Sequence, residues 1–409
     1  MLKHQKILYF GGKDWWYHNI SVGARLALNF AKMGNQVLYV NSIPLRRPKL
    51  GRKGSKARYL NKLKSFSKFL KRVEKNLWVM TPIFIPIYDG YFSYTINQHL
   101  LIIQLRLAKK ILGWCQELPI VFSATLAAAL VLPKIKRKIA LYHLVDKYDK
   151  YRDFSDKNWV SEMDNILVKE SDILLCSSKE IFKYYKKLKS ECYYVPHGVD
   201  FELFNKAATC ELEKPWDLQG IKAPIIGYFG SLTESNDQDV LAYCAQKKPN
   251  WSIVLIGEVY GDYSKLKKYA NIYFLGKKDL QELPAYGKYF DVCIMNWVMN
   301  EWMHYCNPVK AKEYLAMGKP VVSVPIPEVI QTLGDVVSIA STPAEFLEKI
   351  EWELQNDCFE KRKKRIEKVR HETWDKKTEE ISNLILEYLQ IKSGGNQVPS
   401  QGVCKITCN

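Results

Sequence analysis

Short apolar runs alternate with longer amphipathic segments along most of this chain, and this alternation restricts the fold more than any other sequence feature. The runs are almost continuously hydrophobic, which is typical of parallel strands covered by helices on both faces. We therefore predict an α/β protein built on parallel sheets. The predicted strands are 6–10, 36–41, 77–81, 119–123, 138–144, 172–177, 192–195, 224–230, 251–257, 271–276, 290–297, 320–325 and 336–340.

The alternation stops once, at residues 206–222, where polar, proline and glycine residues dominate. A chain of 409 residues is long enough for two domains, so we predict a linker here between domains at 1–205 and 223–372. A last helix at 373–391 is expected to return to the first domain, and the polar tail 392–409 is expected to be disordered. Two such domains leave a cleft at the carboxyl ends of their strands, where α/β folds bind ligands.

The net charge of +18 favours an anionic partner, which can be a nucleic acid, an acidic membrane surface or a phosphorylated substrate. No nucleic-acid-binding signature is present, so a nucleic acid is not expected. The cysteines and histidines do not have zinc spacing, so neither a metal nor a cofactor is expected. The first residues lack a signal-peptide pattern, and no apolar run reaches the roughly 18–20 residues that span a bilayer. A cytoplasmic protein with at most peripheral membrane contact is expected.

Residues 45–75 form a strongly basic segment, with thirteen lysines and arginines against the single acid Glu74. Five apolar residues in it have helical spacing: Leu60, Leu63, Phe66, Leu70 and Val73. The lysines between them are the predicted membrane-binding residues Lys62, Lys64, Lys68 and Lys71. A basic amphipathic helix of this kind lies on anionic membranes. The alternative is a solvated charged loop followed by a helix that faces the core.

The segment HYCNPVKAKEYLAMGKP at 304–320 has the features of a short, capped helix. Asn307 is a favourable N-cap, Pro308 suits the first helical position, and Gly318 suits the position just after the end. The helix is therefore predicted at about 308–317, directly after an apolar strand.

Lys310 and Glu313 lie in the first two turns of that predicted helix. A helix N-terminus with a nearby lysine suits a phosphate, and a carboxylate one turn later suits the hydroxyls of a ribose. The two residues then form part of a nucleotide-diphosphate pocket. The alternative is an exposed i,i+3 ion pair, which stabilises a helix by only about 0.2–0.5 kcal/mol.

Several segments taken in chain order resemble one enzyme family. They are VPHGVDFELF (195–204), IIGYFGSL (225–232), FLGKK (274–278), LPAY (283–286), DVCIM (291–295), PVKAKEYLAMGKPVV (308–322) and HETWDKK (371–377). This pattern resembles retaining-type GT-B glycosyltransferases with an E-x7-E motif, in particular bacterial polysaccharide enzymes such as teichuronic acid and xanthan glucuronosyltransferases. The resemblance implies two Rossmann-like domains that face a cleft.

The resemblance also implies a set of donor-binding residues. Glu313 matches the second glutamate of E-x7-E, which binds the donor ribose, and Lys310 matches a lysine near the diphosphate. Tyr305 stands where the family has its first glutamate, so the sugar pocket is expected to differ here. The arginine and lysine that usually follow the glycine loop are absent from SLTESND, so Lys277 is expected to share the phosphate charge. The full predicted set is Gly230, Ser231, Lys277, Tyr305, Asn307, Lys310 and Glu313.

For catalysis, the family places a base or acid in the first domain. Tyr142 and Asp146 fit a Y-x-x-x-D arrangement found in similar enzymes, and Asp146 is the predicted general base if the enzyme inverts. His143 is the second candidate. Alternatively, Asp146 caps a helix and His143 is a core residue. The D-x-D at 237–239 is expected to begin a helix rather than bind a metal.

Taken together, the sequence predicts a metal-independent GT-B glycosyltransferase that uses a nucleotide sugar, UDP-linked, at the cytoplasmic membrane face. The expected acceptor is a glycan or a polyprenyl-diphosphate-linked glycan of the cell surface. Two alternatives are a UDP-sugar 2-epimerase of the same fold and a non-catalytic protein that binds anionic polymers or membranes.

Overall fold

The computed structural model describes residues 1–16, 20–43, 64–65, 67–85, 91–150 and 157–392. Within these ranges the strands form two separate sheets. The eight-stranded sheet belongs to the first part of the chain and has the order β3-β4-β2-β1-β5-β6-β7-β8. Its strands are β1 Lys6–Phe10, β2 Gln36–Val40, β3 Leu70–Glu74, β4 Leu77–Met80, β5 Ile120–Ser123, β6 Ile139–Leu144, β7 Ile173–Cys176 and β8 Cys192–Tyr194.

The six-stranded sheet belongs to the second part of the chain and has the order β11-β10-β9-β12-β13-β14. All its pairings are parallel, as are those of the first sheet except β3 with β4. Its strands are β9 Ile225–Phe229, β10 Ser252–Ile256, β11 Ile272–Gly276, β12 Val292–Met295, β13 Val321–Ser323 and β14 Ser338–Ile339.

Helices connect the strands and cover the sheets, because a parallel pair needs a crossover connection. In the first part they are α1 Val22–Lys32, α2 Tyr91–Ile111, α3 Lys157–Glu170 and α4 Lys179–Tyr185. In the second part they are α5 Phe201–Thr209, α6 Gln238–Lys247, α7 Ser264–Lys267, α8 Leu283–Lys288, α9 Glu301–His304, α10 Val309–Ala316, α11 Pro327–Leu333, α12 Pro343–Asn356 and α13 Phe359–Val369. The last helix is α14 Trp374–Lys392.

The sheets are buried on both faces, as their apolar sequences predict. Every residue of β5, β6, β7, β9, β10 and β12 is buried. The first sheet separates two apolar clusters, while one larger cluster forms the core of the second part. All thirteen strands predicted from the sequence are present, and the fold is the predicted α/β architecture with two parallel-sheet domains.

The chain passes between the two sheets twice, and the two crossings lie side by side. Val199 forms a parallel bridge with Thr373, and its backbone N–H donates to the carbonyl of Glu372 at 2.8 Å. Gly198 allows this close approach, because a Cβ there would lie 2.7 Å from the backbone nitrogen of Trp374. After the second crossing, α14 packs against α1 of the first part, where Asn29 Nδ2 donates to Thr378 Oγ1 at 3.3 Å.

The helix predicted through Leu70 and Val73 is wrong at these residues, which belong to β3. This edge strand pairs antiparallel with β4, and that pairing overrides the helical spacing of its apolar residues. Lys71 lies on β3, with its amine 5.8 Å from the ring centroid of Trp16, and Lys68 lies 4.5 Å from the same ring. Lys64 is exposed, whereas Lys62 lies outside the described residues.

Among the residues described, no helix is both long enough and apolar enough to cross a membrane. Of the predicted tail at 392–409, only Lys392 lies within the described residues.

Candidate active site

Helix α10 positions the two charged residues singled out in the sequence. It begins at Val309, with Pro308 in extended conformation as the N-cap residue, and ends at Ala316, after which Met317 is the C-cap residue and Gly318 has φ +73°. Glycine is favoured at that position because it tolerates a left-handed backbone. The predicted helix is therefore present.

Asn307 does not cap this helix, contrary to the sequence-based prediction. Its Nδ2 instead donates to the carbonyl of Ser177 in the first domain, at 2.6 Å, and lies 3.4 Å from Glu328 Oε1. Glu328 also accepts hydrogen bonds from Tyr194 Oη and from the backbone of Lys179. Asn307 is thus part of a buried polar contact between the domains.

The side chain of Lys310 lies over the loop that follows β9. A Cβ added to Gly230 would lie only 2.1 Å from Lys310 Cε and 2.7 Å from its Nζ. Gly230 has φ +140°, a conformation that other residues rarely adopt. The amine also lies 5.3 Å from the ring centroid of Trp297 and 5.8 Å from that of Tyr228. The structure therefore brings Lys310 and Gly230 together at the carboxyl end of the central strand.

Two further features shape this loop. Gly257, at φ +154°, follows β10, and a Cβ there would lie 1.9 Å from the carbonyl oxygen of Gly230. Ser231 is exposed beside them. Lys277 is also exposed, but it follows β11 at the sheet edge, two strands from β9. The residues that meet at the loop are thus Gly230, Ser231, Gly257 and Lys310.

Glu313 lies one turn after Lys310 and is partly buried. Burial raises its pKa to about 7, while the positive charges of Lys310 and Arg25 oppose the rise. Arg25 belongs to α1 of the first domain and forms an ion pair with Asp200. Glu313 is therefore on the side of the helix that faces the first domain, and its protonation changes near neutral pH.

Tyr305 follows α9 and does not point freely into a sugar pocket. Its ring packs against the core of the first domain, and its carbonyl accepts a hydrogen bond from Ser178 Oγ at 2.7 Å. The position that holds the first glutamate of the E-x7-E pattern is thus used here for contact between the domains.

The two catalytic candidates lie at the carboxyl end of β6 and just after it. His143 is buried, and its Nδ1 lies 3.1 Å from the hydroxyl of Tyr9. Burial lowers its pKa to about 4, so the ring is neutral at pH 7. Asp146 Oδ1 accepts a hydrogen bond from Trp302 Nε1 of α9 at 3.2 Å, and therefore faces the second domain.

Tyr142, the first residue of the Y-x-x-x-D arrangement, has its hydroxyl partner inside the first domain. The Tyr142 hydroxyl donates to Asp164 Oδ1 at 2.7 Å, and Tyr185 donates to the other oxygen of the same carboxylate at 2.6 Å. Successive strand residues point to opposite faces, and residues 142 and 143 do so at the end of β6. Tyr142 is consequently a core residue of the first domain.

Sequence reasoning missed a buried ion pair at the domain interface. Lys312 Nζ donates to the backbone carbonyl of His197 at 2.6 Å and lies 2.8 Å from Glu372 Oε2. Burial lowers the pKa of Lys312, and the adjacent carboxylate opposes that change. Lys377 contacts the same carboxylate at 3.2 Å. The only sequence signal was the spacing K-x-K at 310–312, which does not say which lysine faces the cleft.

The D-x-D sequence begins a helix, as predicted. Asp237 caps α6 by accepting hydrogen bonds from the backbone of Asp239 and Val240, and Asp239 pairs with Lys265. Within the described part of the chain, no group of three or more His, Cys, Asp or Glu side chains is arranged to hold a metal ion.

Comparisons with known proteins give a family match for part of the chain and fold matches for nearly all of it. Residues 223–356 match the model of the family described as glycosyl transferases group 1. A curated protein of Bacillus subtilis (strain 168), named as the teichuronic acid biosynthesis glycosyltransferase TuaH, is 29% identical over 169 residues. That match spans 39% of this chain and 42% of the length of the relative. The family match lies within the second domain.

Solved structures resemble the chain over nearly its full length. Sucrose-phosphate synthase from Thermosynechococcus elongatus covers 96% of the chain, which in turn covers 100% of that protein, with a TM-score of 0.69 and 13% identity. HepE of Anabaena, in complex with UDP and glucose, covers 96% and is itself covered to 99%, with a TM-score of 0.57 and 14% identity. The predicted GT-B fold is confirmed.

Proposed function

We propose that this chain is a glycosyltransferase that moves a sugar from a UDP-linked donor to a lipid-linked or cell-surface polysaccharide acceptor. The reaction takes place at the cytoplasmic face of the membrane and needs no metal. The observation that carries the proposal is the position of the Lys310 amine over Gly230, at the carboxyl end of a parallel sheet. Loops at this edge are where α/β folds bind nucleotides.

The chemistry of the loop suits a diphosphate. Gly257 lets its loop approach the Gly230 carbonyl, and Gly230 leaves room for the Lys310 side chain. Backbone N–H groups in such loops attract anions. Lys310 adds a fixed positive charge, which stabilises the negative charge that develops on the leaving UDP. To Glu313, one turn further along α10, we assign the hydrogen bonds from the ribose hydroxyls.

The names of the similar proteins support the donor and acceptor classes. HepE is described as a complex with UDP and glucose, and TuaH is named for the biosynthesis of teichuronic acid, a polysaccharide. Acceptor binding is assigned to the first domain, where His143 and Asp146 lie at the carboxyl end of β6 and just after it. His143 is buried with its Nδ1 beside the Tyr9 hydroxyl, whereas the Asp146 carboxylate reaches the second domain through Trp302, so we assign the base role to Asp146.

The decisive experiment is calorimetric titration of UDP into the wild type and Lys310→Ala. A charged hydrogen-bond donor contributes about 2 kcal/mol, so affinity should fall roughly 30-fold. The matched control is Lys268→Ala, since Lys268 also lies over an aromatic ring, that of Tyr269 at 5.2 Å, but on the loop after α7. Equal affinity in the two variants would contradict the donor site.

Product analysis separates the proposal from the epimerase alternative. The protein is incubated with a UDP-sugar and a membrane extract that contains acceptor, and the products are resolved by mass spectrometry and NMR. Sugar incorporation into the extract together with UDP release supports transfer. An epimerised UDP-sugar without incorporation would show that the same fold has a different activity.

A further inference from the structure

Helix α2 of the first domain exposes an aliphatic stripe. Ile103, Leu107 and Ile111 are spaced four residues apart, so they lie along one face of the helix. Their relative exposures are 60%, 48% and 60%. The opposite face, which includes Leu101 and Leu105, is buried in the domain core. An isolated exposed leucine is ordinary, but a row of three on one helix marks an interaction surface.

The stripe is enlarged by the loop after β4. Ile83 is 54% exposed and is fixed beside α2 by two hydrogen bonds. Its backbone N–H donates to Gln104 Oε1 at 2.8 Å, and Gln104 Nε2 donates to its carbonyl at 2.7 Å. Ile83 is thus held next to Ile103, and the apolar surface extends beyond a single helix.

All the charged side chains of α2 are positive. The sequence of α2 contains no aspartate or glutamate, while Arg106 and Lys110 are exposed beside the aliphatic side chains. At its end, Ile111 lines a groove that it shares with Leu70 and Arg72 of β3. The groove makes the aliphatic stripe continuous with β3, which carries Lys71 and Arg72.

We propose that this α2 surface, formed by Ile83, Ile103, Leu107, Ile111, Arg106 and Lys110, docks the protein on an anionic lipid bilayer. Aliphatic side chains enter the boundary between headgroups and acyl chains, while lysines and arginines contact the lipid phosphates. A second copy of this chain is a poor occupant, because a self-complementary contact would place the like charges of Arg106 and Lys110 against each other.

The topology sets the direction in which this surface crosses the first sheet, with Ile103 nearer its carboxyl edge and Ile111 at its amino edge. Helix α2 follows β4 and precedes β5, which runs in the same direction, so the helix returns the chain from the carboxyl edge of the sheet to its amino edge. The start of α2 is therefore on the side of the sheet where the cleft opens. The inference rests on the lipid-linked acceptor of the proposed function and assigns the bilayer contact to a different element from the predicted helix at 60–73.

The test is flotation of the full chain with phosphatidylcholine vesicles, with and without phosphatidylglycerol. The wild type should float only with the anionic vesicles. The triple variant Ile103→Ser, Leu107→Ser, Ile111→Ser should lose flotation, and Arg106→Gln with Lys110→Gln should weaken binding roughly 30-fold. The matched control is Trp352→Ser with Phe359→Ser, which removes two exposed aromatic residues of the second domain, 47% and 73% exposed, and should float like the wild type.

UDP titration of each variant checks that the protein is folded and keeps the two proposals separate. Normal UDP binding without flotation of the wild type would overturn the docking surface and leave the donor site intact. Flotation of the triple variant at wild-type levels would also overturn it. A wild-type dimer in size-exclusion chromatography that the triple variant converts to a monomer would show that a second copy occupies the surface instead.

Discussion

Lys310 and Lys312 are two residues apart on α10, yet they have opposite surroundings. Lys310 is partly exposed and lies over a glycine and two aromatic rings at the carboxyl edge of the second sheet. Lys312 is buried, with its amine held by the carboxylate of Glu372 and the carbonyl of His197. One helix thus presents one lysine to a candidate ligand and the other to the neighbouring domain.

The surroundings of the two lysines show how a candidate binding residue is distinguished from a structural residue on the same helix. A buried charge is paired and hydrogen-bonded because an unpaired one is costly to desolvate. A charge held over a glycine and two aromatic rings is instead a candidate for binding a ligand. Three substitutions test whether the two lysines differ in this way.

The largest expected effect is on stability, from Lys312→Met. The Glu372 carboxylate is paired with both Lys312 and Lys377, and the substitution removes the first of these two positive charges. The free energy of unfolding should therefore fall by about 3 kcal/mol in urea titration. Lys310→Met is the matched control on the same helix and should change it by less than about 0.5 kcal/mol. Equal losses in the two variants would show that both lysines are structural.

A smaller effect is expected on ligand binding, from Gly230→Ala. The new Cβ would occupy the place of Lys310 Cε and would force the amine to move, so UDP affinity should fall about tenfold. The control is Gly113→Ala, because Gly113 also has a positive φ but has no atom within 4 Å of an added Cβ. Calorimetry that finds the same UDP affinity for Gly230→Ala as for the wild type would remove the loop from the donor site.

The smallest effect is expected from Glu313→Gln and concerns pH. Burial raises the pKa of Glu313 from its ordinary value of 4.5 to about 7, so the folded protein binds a proton more tightly than the unfolded chain does. Wild-type stability should therefore fall, relative to the variant, as the pH rises from about 4.5 through about 7. The difference should be on the order of 1 kcal/mol, because the partly exposed side chain keeps some hydration.

Urea titrations of both proteins at several pH values measure this difference. Parallel stability curves for the wild type and Glu313→Gln would show that the carboxyl group ionises as in the unfolded chain. Glu313 would then be fully ionised at neutral pH.

The sheets could be predicted from the sequence because central strands need continuous apolar runs, and each such run was recognisable. Strand β3 was missed because it lies at the sheet edge, where it carries Lys71, Arg72 and Glu74. Charged residues are common on edge strands, since they hinder pairing with other chains. The contact that fixes β3 is its pairing with β4, which local spacing does not encode.

The candidate site was predicted where its residues are close in sequence or belong to a recognisable loop. Lys310, Glu313 and Gly230 are of this kind. The roles of Asn307 and Tyr305 could not be predicted, because their partners Ser177 and Ser178 are more than a hundred residues away in the chain. Asparagine is a preferred N-cap residue, but the Asn307 side chain instead makes a long-range hydrogen bond to the other domain.

The paired crossings at Val199 and Thr373 also determine how the two halves can move. The two adjacent segments are joined by a backbone hydrogen bond, so they bend together and rotate about one common axis. Displacement on rotation grows with distance from the axis, so a small change of angle at Val199 becomes a large change of gap at the far rim of the cleft. A bulky glycan could therefore enter and leave while the backbone near the axis keeps its geometry.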